Sequence, residues 1–293
     1  MMRFLFIFLF SGLAFCQNTD TEIYLFDLVP KNASFEVKNG QNISYNAGYD
    51  NQPSFSDNET ILFSRMRNEQ TDVAKYNLKT KKISWLTETP EGGEYSPQHI
   101  PDSDDFAAVR LDTSGLQRLY RYKTKAGENT TINSRKTGYF AFYDNSQFIS
   151  AVLSGSSLDL YLSDINTKKD TLIITNIGRS LHKVPHTKSM SYTVVNDDQN
   201  LDLYLLDMAG DLESFFVCEL PIGIQDYVWL NDSQILLGSR NRLYIYDTLG
   251  VTEWKELASL ESYDLDNITR LAVSPDGKHL AVVAEPNSNN DKQ

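Results

Sequence analysis

The stretch Ser274-Pro275-Asp276-Gly277-Lys278-His279-Leu280-Ala281-Val282-Val283 decides the fold. It joins a polar turn to a short apolar strand, and the same pattern occurs five more times upstream, at separations of 42–45 residues. The first apolar residues after the six turns are Ile61, Phe106, Phe148, Met190, Ile235 and Leu280. A period of this length, built from short strands, is typical of β-propeller blades rather than of helical repeats.

Each repeat contains further strands after the apolar one. The third strand alternates around a central aromatic, as in Asp202-Leu203-Tyr204-Leu205-Leu206-Asp207. A fourth strand follows after another polar turn, as in Lys82-Ile83-Ser84-Trp85-Leu86-Thr87. Four strands joined by three short turns account for one period, and no segment carries a sustained 3.6-residue apolar stripe. The sequence therefore predicts an all-β chain of four-stranded antiparallel blades.

The two ends of the chain carry complementary halves of one repeat. Residues 21–28 match a third strand with no first or second strand before it, whereas residues 274–283 supply the start of a repeat with no third strand after it. Pairing these ends in one sheet completes a sixth blade. It also removes the exposed sheet edges that an open ring would leave. We therefore expect a six-bladed β-propeller over residues 17–285, closed by its N- and C-terminal strands.

The first sixteen residues predict export. Arg3 is followed by an apolar run at residues 4–10 and by small residues, which is typical of a signal peptide cleaved before Gln17 and too short to span a bilayer. Cys16 leaves a lipoprotein as the alternative, although the bulky Phe15 does not fit a lipobox. We expect a periplasmic or secreted protein with no transmembrane segment and a polar, disordered tail at residues 286–293.

Charge and cysteine content limit the kinds of partner. The whole chain has a net charge of −12, and removal of the leader with its single charged residue, Arg3, makes this −13. Such a balance argues against nucleic acids and anionic membranes as partners. Cys218 is the one cysteine after the leader, so no intrachain disulfide can form and the fold must depend on its apolar core. We expect a monomer.

Several segments resemble the TolB-like propeller repeat. They are the stretch from Gln52 to Asn58, the strand ending at Leu86-Thr87, the run Glu94-Tyr95-Ser96-Pro97, and the closing Ser274–Lys278 turn. The resemblance covers roughly residues 20–285 and implies the propeller architecture. In that superfamily the repeat serves periplasmic scaffolds, peptidase gating domains and polysaccharide lyases, so it does not fix a function. No stretch here matches the α/β domain that precedes the propeller in TolB.

The resemblance leaves one catalytic alternative open. TolB-like lyases of pectic fragments use histidines and a glutamine around a metal, which draws attention to Gln98, His99 and His182. His182 and His186 have the His-x-x-x-His spacing, but no carboxylate accompanies them, so the sequence holds no complete metal-ligand motif at Gln98, His99 or His182. A Gly-x-Ser-x-Gly nucleophile elbow is also absent from the sequence. We therefore expect no cofactor, and keep a metal-assisted polysaccharide lyase or glycosidase as the alternative.

The predicted binding site lies where the blades converge around the channel. Arg65, Arg110 and Arg240 end second strands, while Tyr95 and His182 lie where innermost strands begin. Arginine and tyrosine supply anchored contacts at interfaces, and loops at a channel mouth are where propeller ligands dock. In the alternative interpretation the arginines are solvated and the tyrosines pack between blades. These residues predict a non-catalytic protein that binds a protein, peptide or glycan at the channel mouth.

Overall fold

A computed structural model describes residues 20–287 with the exception of residues 33, 91, 125, 126 and 251. The predicted signal peptide and lipobox lie outside the described residues. The predicted tail lies outside them as well, apart from its first two residues, of which Pro286 ends the last strand.

Six four-stranded antiparallel sheets form a ring, which confirms the predicted all-β propeller. From the innermost strand outward, blades 1 to 3 consist of β3 (Asp50–Phe55), β4 (Thr60–Arg67), β5 (Gln70–Asn77) and β6 (Lys82–Trp85); β7 (Gly92–His99), β8 (Phe106–Asp112), β9 (Gln117–Tyr122) and β10 (Asn129–Thr131); and β11 (Thr137–Phe142), β12 (Gln147–Ser154), β13 (Ser157–Asp164) and β14 (Asp170–Ile174). Blades 4 to 6 consist of β15 (His182–Lys183), β16 (Ser189–Val195), β17 (Leu201–Asp207) and β18 (Ser214–Glu219); β19 (Val228–Trp229), β20 (Gln234–Ser239), β21 (Arg242–Asp247) and β22 (Lys255–Ser259); and β23 (Leu265–Val273), β24 (His279–Pro286), β1 (Glu22–Lys31) and β2 (Ser34–Asn42). A single 3-10 turn, Glu261–Tyr263, is the one helical element of the described chain.

Blade 6 closes the ring as the sequence predicts. β1 pairs antiparallel with β24, in a register that runs from Glu22 opposite Ala284 to Asp27 opposite His279. The side chains of residues 280–284 have no exposed surface. The N-terminal strand is therefore held by the C-terminal one, and neither leaves an open sheet edge at the junction.

The core is divided among the six interfaces between neighbouring blades. Each interface holds one apolar cluster, such as Leu62, Val73 and Phe106 between blades 1 and 2. The middle strands of each blade are covered on both faces, which is why they read as continuous apolar runs instead of alternating. The fold thus depends on blade-to-blade packing, and Cys218, the cysteine of the described chain, is buried and free.

The arginines are distributed unevenly between the two faces of the ring. We call one side the front face: there the innermost strands begin, the second strands end and the third strands start. The innermost strands end at the opposite side, the back face. Among the arginines of the described chain, all but Arg121 and Arg270 lie at strand ends or loops of the front face. Arg270 lies inside the channel, on β23. The front face and the channel therefore concentrate the guanidinium groups of an acidic protein.

Candidate functional site

Each blade contributes a residue at an equivalent position to the lining of the central channel. These are the residues three positions before the end of each innermost strand, and they surround a cavity of about 90 Å³: Gln52, Ser96, Tyr139, Ser180, Asp226 and Arg270. Gln52 and Ser96 have positive φ values of 56° and 52° and lie at register shifts in β3 and β7. Such bulges redirect side chains out of the ordinary alternation of a strand, here toward the channel.

Asp226 joins three blades through two arginines. Arg179, ahead of β15, donates from Nε to Asp226 Oδ2 at 3.0 Å and also from Nη2 to the same oxygen. Arg270, on β23, donates from Nη1 to Asp226 Oδ1 at 3.2 Å. Both oxygens of the carboxylate are thereby engaged, and one negative charge faces two positive charges. The ion-pair group is therefore net positive where it borders the channel.

Three tyrosines surround this group. The rings of Tyr49 and Tyr95 meet edge to face at 6.2 Å, and the guanidinium carbon of Arg270 lies 5.6 Å from the centre of the Tyr139 ring. Burial raises the pKa of Tyr49 to about 12, against the opposing effect of Arg270. The Tyr49 hydroxyl therefore stays protonated at neutral pH, while Arg270 stays charged because Asp226 and the tyrosines outweigh the effect of burial on its pKa.

A second cavity, of about 290 Å³, opens beside the channel on the front face. Its lining includes Arg179, Asp226 and Arg270, together with Arg240 and Thr269. Arg240 is exposed and forms no ion pair with any residue of the described chain. The Oγ1 atom of Thr269 is buried without a hydrogen-bond partner among the described residues. We call these five residues, around this cavity, the arginine pocket; three guanidinium groups face one carboxylate there, an arrangement suited to an anionic group.

The structure places the five predicted site residues in different surroundings. His182 lines the channel cavity, Arg240 lines the arginine pocket, and Tyr95 contacts Tyr49. Arg65 and Arg110 line neither cavity. Both cavities share Arg179, Asp226 and Arg270, so His182 and Arg240 lie beside the same ion-pair group, whereas Arg65 and Arg110 lie within the blades.

Arg65 and Arg110 are each held by a nearby carboxylate. Arg65 Nη1 lies 3.3 Å from Asp50 Oδ2, and Asp50 is the direct cross-strand partner of Arg65. Arg110 Nε lies 2.7 Å from Asp112 Oδ1 on the same strand. Burial raises the pKa of Asp50 to about 7 despite the opposing effect of Arg65. These arginines are partly buried ion-pair partners and are less accessible to a ligand than Arg240.

The residues of the catalytic alternative do not meet at one point. Gln98 and His182 both line the channel cavity, and Gln98 donates from Nε2 to the Phe140 carbonyl oxygen at 2.7 Å. His99 ends β7 at the back face, where its Nε2 contacts the Ser103 carbonyl oxygen. Within the described residues, no group of three or more histidines, cysteines, aspartates or glutamates is arranged to hold a metal ion.

His182 is neutral at physiological pH. Burial lowers its pKa to about 4, against the opposing effect of Asp226. Its ring contacts Tyr227 at 4.8 Å between centroids, and its Nε2 lies 3.0 Å from Ser180 Oγ. A neutral imidazole in this position offers one donor and one acceptor to the channel.

The stability of the fold should depend on the protonation of His182. The pKa of His182 is lower in the folded chain than in the unfolded chain. The stabilisation that the neutral imidazole contributes is therefore complete above about pH 6.5 and is lost as the pH falls toward 4. Between pH 7.5 and pH 5, protonation of His182 should lower the unfolding free energy of the parent by about 1–2 kcal/mol, and His182→Gln should abolish this loss. Urea unfolding of both proteins at the two pH values measures it.

A matched comparison isolates this effect. Asp50, with its raised pKa, alters stability in the opposite sense, so the parent curve alone does not report on His182. His186→Gln changes an exposed histidine of a back-face turn and should leave the parent pH dependence intact. An unchanged pH dependence in His182→Gln would show that the imidazole is not held neutral by the fold.

Sequence reasoning missed Tyr139, Arg179, Asp226 and Arg270. The predicted site residues lie at the ends of second strands and in the loops before innermost strands. The signal that identifies the channel ring is the position three residues before the end of each innermost strand, which recurs from Gln52 to Arg270 at the blade period. That position holds five different residue types among the six blades and shows no motif, so only the alignment of the six strand ends reveals it.

Known proteins resemble this chain in fold and not in sequence. Neither a protein-family model nor a curated protein matches its sequence. Among solved structures, putative TolB from Agrobacterium tumefaciens superposes with a TM-score of 0.68 at 12% identity, over 90% of this chain and 98% of that one. TolB from Acinetobacter baumannii gives 0.61 at 10% identity, over 92% of this chain and 65% of that one. The chain has the TolB-like propeller fold.

A further solved structure with a similar fold is that of an enzyme. An oligogalacturonate lyase in complex with manganese superposes with a TM-score of 0.54 at 13% identity, over 84% of this chain and 80% of that one. Identities this low establish the shared fold and do not transfer an activity. The described part of the TolB-like chain contains no helix with the length and apolarity that crossing a membrane requires.

Proposed function

We propose that this TolB-like propeller is a non-catalytic binding protein that docks a protein, peptide or glycan at the front mouth of its channel. The observation that carries the proposal is the arginine pocket, where Arg179, Arg240 and Arg270 face the single carboxylate of Asp226. The ligand presents an anionic group, such as a carboxylate, to these guanidiniums. Arginine binds such groups with paired, charge-assisted hydrogen bonds.

Charge selection supports this assignment. The chain carries a net charge of −12, so an anionic ligand is repelled over most of its surface. The front face is where the arginines accumulate, and Arg240 is the exposed member of the pocket. The guanidinium of Arg240 is therefore a group that an anionic part of the ligand can reach at this mouth. The tyrosines beside Arg270 add flat apolar surface and hydroxyl groups, which suit a sugar ring or a peptide chain.

We propose further that the protein acts in the periplasm or outside the cell as a monomer. The support is the leader sequence, in which a basic residue, a short apolar run and small residues precede Gln17. Intact-mass measurement of the exported protein tests this: a mass starting at Gln17 agrees with it, whereas an acylated Cys16 would show lipidation instead.

Reversal of charge at Arg240 tests the site. A fluorescent polyglutamate peptide and a pectic oligosaccharide serve as anionic probes, titrated at low salt. We expect Arg240→Glu to weaken binding of the preferred probe about tenfold, or roughly 1.4 kcal/mol. Stability should change by less than about 0.5 kcal/mol, because the side chain is exposed and forms no ion pair within the described residues.

Lys188→Glu is the matched control. It makes the same change in net charge on an exposed turn of the back face, and should leave binding within a factor of two. Equal losses in both variants would mean that only overall charge matters, which contradicts a site at the front mouth. Turnover of the pectic probe that disappears on chelation and in His182→Ala would assign the chain to the lyase alternative.

A further inference from the structure

Two outer strands of the described chain expose large apolar side chains: β14, with Leu172 and Ile174, and β18, the outer strand of blade 4, whose exposed side chains are aromatic. β18 reads Ser214-Phe215-Phe216-Val217-Cys218-Glu219, and the side chains of Phe215 and Phe216 are 53% and 59% exposed. The outer strands β2, β6 and β22 carry lysines or glutamates, and β10 is wholly polar. Natural sheets protect their edges in that way against pairing with other chains. β18 lacks this protection over five consecutive residues.

β18 has a free side along most of its backbone; at its end the Glu219 carbonyl oxygen accepts a hydrogen bond from Trp254 Nε1 at 3.3 Å. In the described chain it pairs with β17 alone, with Phe215 opposite Leu205 and Phe216 opposite Tyr204. Alternate backbone N–H and C=O groups of an edge strand therefore face outward. The Phe216 ring packs edge to face on Tyr204 at 5.7 Å, which holds it in place on the surface. The strand thus offers an ordered backbone edge with aromatic side chains beside it.

The surroundings of β18 are negatively charged. Glu213 and Glu219, both exposed, flank the apolar residues at the two ends of the strand. The sequence has no lysine or arginine anywhere between Lys188 and Arg240, a span that contains all of blade 4 after its first turn. An occupant of this edge therefore meets an apolar centre with negative charge at both ends and no positive charge along the strand.

This charge pattern excludes self-association as the favoured use of the edge. Antiparallel pairing of two copies about Phe216 would place Glu213 of one copy opposite Glu219 of the other at both ends. Like charges directly opposite each other destabilise a strand pair, and both copies carry a net charge of −12. A partner strand with an apolar centre and basic ends would meet complementary charge in the same geometry.

We propose that β18 is a docking site for an extended peptide segment that adds a fifth strand to blade 4. The segment has apolar residues at its centre, against Phe215 and Phe216, and a lysine or arginine near each end, against Glu213 and Glu219. Main-chain hydrogen bonds along the strand supply affinity, and the charges at the ends set the register. This site lies at the rim of the ring and is separate from the arginine pocket.

The test uses a peptide of defined chemistry. The probe is fluorescein-labelled Lys-Lys-Val-Thr-Val-Thr-Val-Lys-Lys, and the comparison peptide, Lys-Lys-Val-Pro-Val-Pro-Val-Lys-Lys, has the same charge but lacks two backbone N–H donors. We expect the first to bind the full mature chain at least tenfold more tightly than the second, because only the first can pair as a continuous strand. Fluorescence anisotropy measures both.

Variants locate the site. Glu213→Lys combined with Phe215→Lys should weaken probe binding at least tenfold, since it reverses one end charge and places a cation in the apolar centre. Leu172→Lys on β14, where the parent side chain is 48% exposed on the neighbouring outer edge, is the control and should bind as the parent does. Circular dichroism and thermal melting confirm that each variant is folded.

Three outcomes would overturn the proposal. The first is equal affinity for the two peptides, which would mean that the interaction depends on charge alone and not on strand pairing. The second is unchanged binding in the Glu213 and Phe215 double variant. The third is a concentration-dependent dimer in light scattering that Phe215→Lys abolishes while the probe does not bind, which would give this edge to a second copy of the chain.

Discussion

A chain that ends at Ser274 is expected to lose cooperative unfolding altogether. The truncation removes β24, whose residues 280–284 are fully buried, and leaves β1 without its strand partner. Burial of those apolar side chains contributes about 5–10 kcal/mol, which is comparable to the whole stability of a domain. The product should be insoluble or rapidly degraded by protease, and should give no melting transition by circular dichroism.

The matched control ends at Asn287 and removes only residues 288–293. That chain keeps every strand of blade 6 and should melt within a degree or two of the full mature protein. A soluble product ending at Ser274 with unchanged melting would refute closure of the ring by the two ends of the chain.

Asp226→Ala is expected to lower the unfolding free energy by about 2–3 kcal/mol. The change leaves the guanidiniums of Arg179 and Arg270 facing each other with no carboxylate between them. The expected loss of unfolding free energy is smaller than for a fully buried ion pair, because the side chains of Asp226 and Arg270 are 11% and 17% exposed. Urea unfolding at pH 7.5 and low salt measures it.

Two further variants separate charge from packing. Asp226→Asn keeps the size of the side chain. It should still lower the unfolding free energy by most of the amount expected for Asp226→Ala, because the missing charge is the main cause of that decrease. It should also tighten binding of an anionic probe at the arginine pocket, because one competing carboxylate is gone. Asp232→Ala, at an exposed position in the turn after β19, should stay within about 0.5 kcal/mol of the parent. A change of that small size in Asp226→Ala would mean that the ion pairs do not hold the blades together.

The sequence by itself determined the architecture. The period of the turns, the apolar second strands and the divided sixth repeat are local patterns, and each can be recognised within a few residues of one segment. Closure of the ring followed from the same patterns, since residues 21–28 and 274–283 complete each other only when paired. Strands are recognised from local alternation of apolar residues and from turn residues, so these features can be predicted without the tertiary structure.

Only the tertiary structure decided which side chains face the channel. Register shifts interrupt the innermost strands, between Asn51 and Ser54 in β3 and between Asp266 and Arg270 in β23. A shift of one residue moves a side chain to the other face of a strand, and nothing in the sequence marks these bulges. Arg65 was therefore expected at the mouth, yet cross-strand pairing places it against buried Asp50, while Arg270 reaches Asp226 across a blade boundary.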